Sequence, residues 1–181
     1  MLQFLNQFNI INFIWIIPAI FFIHELEEWN ILKWYKKFYN NIPPSTNFSI
    51  RLHIITLGIA GFLLIILVYF LRTTFIFSII FIYITTFITV NTIQHIIWTI
   101  QYKAYSPGLI TGIACFIIIF LINILFISNK LVILPFYLIF IIGISPVINT
   151  LKSKHEMTPE VLKIHIFFIS FEKLLRKIFN K

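Results

Sequence analysis

Residues 9–29 read NIINFIWIIPAIFFIHELEEW, and how this stretch is placed decides the fold. Up to Ile23 it carries no charge, yet positions 24–28, HELEE, hold one histidine and three of the chain's six acidic residues. A helix that crosses a bilayer needs about 20 mainly apolar residues, and this stretch supplies them. The surrounding composition agrees. The 181 residues are 60% hydrophobic and only 11% charged, with no Asp, which is a composition suited to lipid as solvent. Residues 1–23 contain no basic residue and no small-residue cleavage site, so the first apolar segment is expected to remain as a permanent span.

Four further apolar stretches, roughly 53–71, 75–101, 107–128 and 131–150, have the length and hydropathy of spans. The expected fold is all-α and integral to the membrane: five transmembrane helices over residues 1–151, followed by a cytoplasmic tail at 152–181. No internal repeat of the inverted-transporter kind is visible. The lone Cys115 lies in an apolar run without a second thiol, so a disulfide framework and a thiolate metal cluster are both excluded.

Orientation follows from the basic residues of the loops. With the N-terminus outside, Lys33, Lys36, Lys37, Arg51, Lys103, Lys152, Lys154, Lys163, Lys173, Arg176, Lys177 and Lys181 fall inside, and only Arg72 and Lys130 fall outside. This arrangement puts the C-terminus and the HELEE segment on the cytoplasmic side of a cell membrane, expected to be a bacterial inner membrane. The net charge of +8 is then explained by topology, and no nucleic-acid partner is needed. Thr158, Pro159 and Glu160 open a tail helix. Its apolar side is expected around Val161, Ile164, Phe168, Phe171, Leu175 and Ile178, with Lys163, Lys173 and Lys177 on the other, the pattern of a helix lying on anionic lipid.

On a helix His24, Glu27 and Glu28 share an arc of about 100°, whereas Glu25 points away toward loop or headgroups. The helix dipole at this C-terminal end disfavours carboxylates, and no Lys or Arg sits three or four residues away. A second polar group, Asn91 and His95, lies one turn apart in the third span, and its direction brings His95 to the depth of His24. The fourth span opens from the same side with YKAYSPG, in which Ser106 can cap, Pro107 suits the first turn and Gly108 permits close approach. Its free N–H groups would face the acidic cluster.

These three signatures together resemble a family of small membrane proteins of unknown function named for its HxxEE motif. His24, Glu27 and Glu28 match that motif, Asn91 and His95 match the family's NxxxH pattern, and Tyr105, Pro107 and Gly108 match its YxPG pattern. The resemblance runs from the first span through the fourth and implies four or five spans and an enzymatic role of unstated reaction.

The residue types suggest what that chemistry would require. His24 and Glu28, four apart, can address one divalent metal, in a reversed zinc signature whose second histidine is replaced by glutamate. His95 would complete a His₂Glu set with an open position, the composition of catalytic zinc sites. Glu27 would serve as general base, Asn91 as orienting group, and Tyr105 with the Gly108 backbone as oxyanion donors. The expected activity is a metal-dependent membrane hydrolase or lipid-modifying enzyme, zinc its first candidate, acting on an amphipathic substrate from the inner leaflet. A non-catalytic lipid- or partner-binding protein and a metal- or proton-coupled carrier are the alternatives, with di-iron chemistry further behind. The bland reading of HELEE is a hydrated span end neutralised by Lys33, Lys36 or Arg51. His53, His155 and His165 are read as interfacial residues, and Trp15, Trp29, Trp34 and Trp98 as belt or packing residues.

Overall fold

The computed structural model describes residues 11, 13–73, 75–127 and 133–179, with the backbone alone over 124–127 and 133–142. Seven helices are described: α1 (Ile16–Glu27), α2 (Ile31–Phe38), α3 (Asn47–Phe70), α4 (Phe75–Tyr102), α5 (Leu109–Ile127), α6 (Ile133–Lys152) and α7 (Pro159–Phe179). There is no strand among the described residues. Two helices, α3 and α4, are long and apolar enough to cross a membrane, and Leu109–Asn123 is a shorter apolar stretch. The first residues of the span expected at 9–29 and of the one expected at 131–150, like the outer-loop Lys130, lie outside the described residues.

Helix α1 packs against α3 and α5, and α4 closes the group by contacting both α3 and α5. Helix α6 lies against α4, and α7 against α3. Two apolar clusters hold this arrangement together. One joins Ile17 and Phe21 of α1 to Val68, Phe81, Ile88 and Ile119, with Cys115 as a small buried member. The other gathers Ile31, Trp34 and Tyr35 of α2 with Ile50, Ile54 and Trp98. Along α1 and α2, and again along α4, the polar residues of interest fall between the two clusters. His24 to Glu28 follow Phe21 and precede Ile31, and Asn91 and His95 lie between Ile88 and Trp98.

Three element boundaries differ from the sequence expectation. Residues 31–38 form a helix where a connection was expected, because Ile31, Leu32, Trp34 and Tyr35 turn inward while Lys33, Lys36 and Lys37 stay exposed. This is amphipathic spacing within a segment too charged to cross a membrane. Helix α3 begins at Asn47 rather than near 53. Thr46 accepts from the Ser49 N–H, and Ser49 accepts from the Thr46 N–H, a reciprocal cap contributing about 1 kcal/mol. Helix α5 begins at Leu109, which leaves Pro107 and Gly108 in the turn that enters it.

The tail helix starts at Pro159 as expected, and it docks on the rest of the chain through a partly polar face. His165, Phe168 and Glu172 are buried, while Ile164 and Ile178 are exposed. The N-terminal end of α3 explains this. Ser45 and Thr46 offer hydroxyls there, which bond His165 Nδ1 at 2.9 Å and Glu172 Oε2 at 2.5 Å. Phe168 packs against His53 beside them, with the two rings tilted by 41°.

Candidate metal centre

Two helices bring the three polar residues together. α1 delivers His24 just before its end, Glu28 lies at the cap of the same helix, and α4 delivers His95 from the opposite side. All three are buried. Glu28 Oε1 lies 3.2 Å from His24 Nε2 and 2.9 Å from His95 Nε2. The three candidate ligand atoms lie within 4.8 Å of one another. In a tetrahedral zinc site with bonds of 2.0–2.2 Å, neighbouring ligand atoms stand roughly 3.3 Å apart, so these separations suit a shared ion. Asn91 Oδ1 approaches His24 Nε2 at 3.3 Å.

The turn entering α5 lies directly over the triad. Gly108 has φ +95°, a conformation L side chains rarely adopt. A Cβ added there would lie 2.8 Å from His95 Cε1, 3.0 Å from Glu28 Oε1 and 3.0 Å from His24 Cε1. Only glycine lets this backbone reach the triad. Ser106, fully buried, does not act as a simple helix cap: its Oγ meets His95 Nδ1 at 3.0 Å.

Glu27 faces the N-terminus of α5. The Thr111 N–H donates to Oε2 at 2.9 Å, the Thr111 hydroxyl donates to the same oxygen, and the Tyr105 hydroxyl donates to Oε1. A carboxylate at a helix N-terminus is the arrangement that end of the macrodipole favours. Thr111 Oγ1 also lies 3.2 Å from His24 Nδ1. Because that hydroxyl gives its proton to Glu27, it can only accept from His24, which places the imidazole proton on Nδ1 and leaves Nε2 with a lone pair. Each histidine thus turns Nε2 to Glu28 and Nδ1 to a hydroxyl. The expected site residues therefore divide: His24, Glu28, His95, Asn91 and Gly108 converge, while Glu27 and Tyr105 form, together with the unforeseen Thr111, a layer behind His24.

Residues 15–123 match the family described as "Protein of unknown function with HXXEE motif". The chain belongs to the HXXEE family. No curated protein and no solved structure matches it. All the residues of the three HXXEE signatures lie inside the matched segment, as does Thr111.

Sequence reasoning on this HXXEE chain misplaced Glu25. Expected at the loop or headgroups, it is 2% exposed, and its Oε1 has no hydrogen-bond partner. The geometry of a single helix leaves out α3, which packs on α1, and Tyr35 of α2 and Ile164 of α7, which share a cavity with Glu25. Glu25 and Glu28 line a cavity of about 270 Å³, whose far wall comes from α3, α6 and α7 through Leu57, Pro146 and Ile164. His53 and His165, read as interfacial, line it too. The bases weighed as neutralisers stand elsewhere: Arg51 lies over the Trp29 ring and donates to Asn30 Oδ1, and Lys33 and Lys36 are exposed. Among the described residues no Lys or Arg pairs with Glu25, Glu27 or Glu28. Thr111 could have been found in the sequence only as a hydroxyl one turn into a helix expected to face the acidic cluster.

Proposed function

We infer that this HXXEE protein binds a divalent metal, zinc first, through His24, Glu28 and His95, and that it is a metal-dependent membrane hydrolase or lipid-modifying enzyme. The observation that carries this reading is a convergence of acceptors. With the proton held on Nδ1 of His24, its Nε2 lone pair faces two further acceptors, Glu28 Oε1 at 3.2 Å and Asn91 Oδ1 at 3.3 Å. Three electron-rich atoms at that spacing repel unless a positive charge stands between them. A metal ion supplies it, and the hydroxyls of Thr111 and Ser106 then play the outer-shell part that fixes ring orientation in metal sites.

When bound, the metal supplies Lewis acidity for polarising an ester or amide carbonyl or a phosphoryl oxygen. The residues of this chain do the rest. Glu27 is a positioning residue, acting on His24 through Thr111, because donors occupy both of its oxygens. Gly108 brings its backbone against the triad without displacing it. Asn91 limits the open side and orients what enters.

In this reading the chain crosses the membrane five times with its N-terminus outside, and the site lies in the cytoplasmic half, open to amphipathic substrates of the inner leaflet. Helix α7 lies on that leaflet. Its outward face carries the exposed Ile166, Phe167, Leu174 and Ile178 among Lys163, Lys173 and Lys177, a composition that attracts anionic lipid.

The decisive experiment is elemental analysis by mass spectrometry of detergent-purified protein, wild type beside His24→Ala and His95→Ala, washed without strong chelator. Near-stoichiometric zinc, iron or manganese in the wild type, falling to background in both variants, is the expected result. Folded wild type without metal above background overturns the reading.

A further inference from the structure

The cavity beside the triad has a polar end that the metal reading leaves without work. Three glutamates line it, Glu25, Glu28 and Glu160, and no Lys or Arg does. Its walls are otherwise largely apolar, built by Leu57, Phe87, Val90, Pro146 and Ile164. Glu25 is the unusual member, a carboxyl 2% exposed whose Oε1 meets no donor. Leaving a buried polar atom unpaired is costly, more so when the group is charged, and a fold retains such an atom most readily where a ligand completes it.

The geometry points to this cavity as a binding pocket for the ammonium end of an amphipathic amine, with Glu25 as its counter-ion. An alcohol could satisfy Glu25 Oε1 but would leave the excess negative charge of the wall uncompensated. An ammonium brings three donors and a full positive charge. A carboxylate or phosphate head would meet three acidic side chains and no Lys or Arg, the bases of the wall being the imidazoles of His53, His95 and His165. The volume, slightly below the usual range of about 300–1,000 Å³ for ligand pockets, suits a head group and the first few carbons of a chain. Because Glu28 belongs to both the triad and the cavity wall, a bound amine would lie beside the metal site. The inference names a substrate class for that site and rests on the metal reading only in calling the amine a substrate; the binding itself needs Glu25 and the cavity.

The test titrates full-length protein in phosphatidylcholine nanodiscs with hexylamine, hexanol and hexanoate near pH 7.5 by calorimetry, subtracting the heats of empty nanodiscs. Zinc is measured on the same samples. Saturable hexylamine binding is expected in the wild type, with hexanol at least about tenfold weaker and hexanoate unable to bind. Glu25→Gln should lose hexylamine affinity at least about tenfold while keeping its metal content. Leu57→Trp, which narrows the cavity without touching any carboxylate, should weaken binding too and serves as a second check should Glu25→Gln fold poorly. Equal affinity for hexanoate, or undiminished hexylamine binding in Glu25→Gln, overturns the pocket. Loss of zinc together with the amine in Glu25→Gln also overturns it, because Glu25 would then be a metal ligand. Hexylamine binding through Glu25 in protein that carries no metal upholds the pocket and sinks the metal reading alone.

Discussion

Glu172, on the tail helix, is met by Arg176 at 2.9 Å and by the Thr46 hydroxyl at 2.5 Å, and the neighbouring His165 is met by Ser45. Glu28, equally buried, is met by two histidines and by no Lys or Arg. The two clusters use the same residue types, yet one is complete with its own donors and cation, and the other is rich in acceptors. The α3–α7 contact is therefore a structural fastening that asks for nothing further. In the proposed reading a metal ion brings the positive charge that the triad lacks, and the excess of acceptors is what separates a candidate binding site from a tie.

The largest break in that contrast is expected from Gly108→Ala. The new Cβ would collide with His95 Cε1 at 2.8 Å and crowd Glu28 and His24, at a φ of +95° that already strains any other residue. Metal content should drop to background while the α3–α7 contact survives, as read by retained hydrogen-exchange protection of α7. Full metal occupancy in this variant would show that the α5 turn does not lie against the ligands.

A smaller effect should follow from Thr111. Thr111→Val removes the hydroxyl that holds the His24 proton on Nδ1, and losses of outer-shell partners commonly weaken metal binding about 10–100-fold. Competition with a chelating dye measures this. Thr111→Ser should restore most of the affinity, since it keeps the hydroxyl and loses only a methyl group. If Val and Ser bind zinc equally, the relay from Glu27 through Thr111 plays no part in setting the tautomer.

Much of this architecture is legible in the amino-acid order, and the reasons for the rest are physical. Long apolar runs announce α3 and α4, and the spacing of His24 and Glu28 with the depth of His95 announces the triad, because those features belong to single helices or to a pair of them. The family resemblance seen in three short motifs holds over residues 15–123. The burial of Glu25 is illegible, since it depends on α3 and α7 returning from far along the chain. The docking face of α7 is illegible for the same kind of reason. The hydropathy pattern marks an apolar side suited to lipid, on which Ile164 and Ile178 stay exposed, but it does not announce that Ser45 and Thr46 select His165 and Glu172. Pairwise polar matching outweighs mean hydropathy wherever both surfaces are half polar.

The mildest effect belongs to the fastening itself. His165 is 4% exposed, and burial together with the adjacent His53 pushes its pKa down to about 4, from an ordinary value of 6.5. The docked state therefore prefers the neutral ring, and above about pH 6.5 that preference has no consequence, since the undocked ring is neutral too. As pH falls below 6.5 the undocked ring takes up a proton first, so docking weakens progressively until pH approaches 4. At pH 5.5 the loss should be about 1 kcal/mol, or roughly tenfold in the opening equilibrium of α7. Hydrogen exchange of the α7 amides at pH 7.5 and 5.5, corrected for intrinsic rates, reads this directly. Protection should fall about tenfold in the wild type and stay level in His165→Gln, whose side chain cannot titrate. An equal fall in both proteins would move the pH sensitivity away from His165, and the fastening would then share the uncompensated charge that otherwise distinguishes the triad.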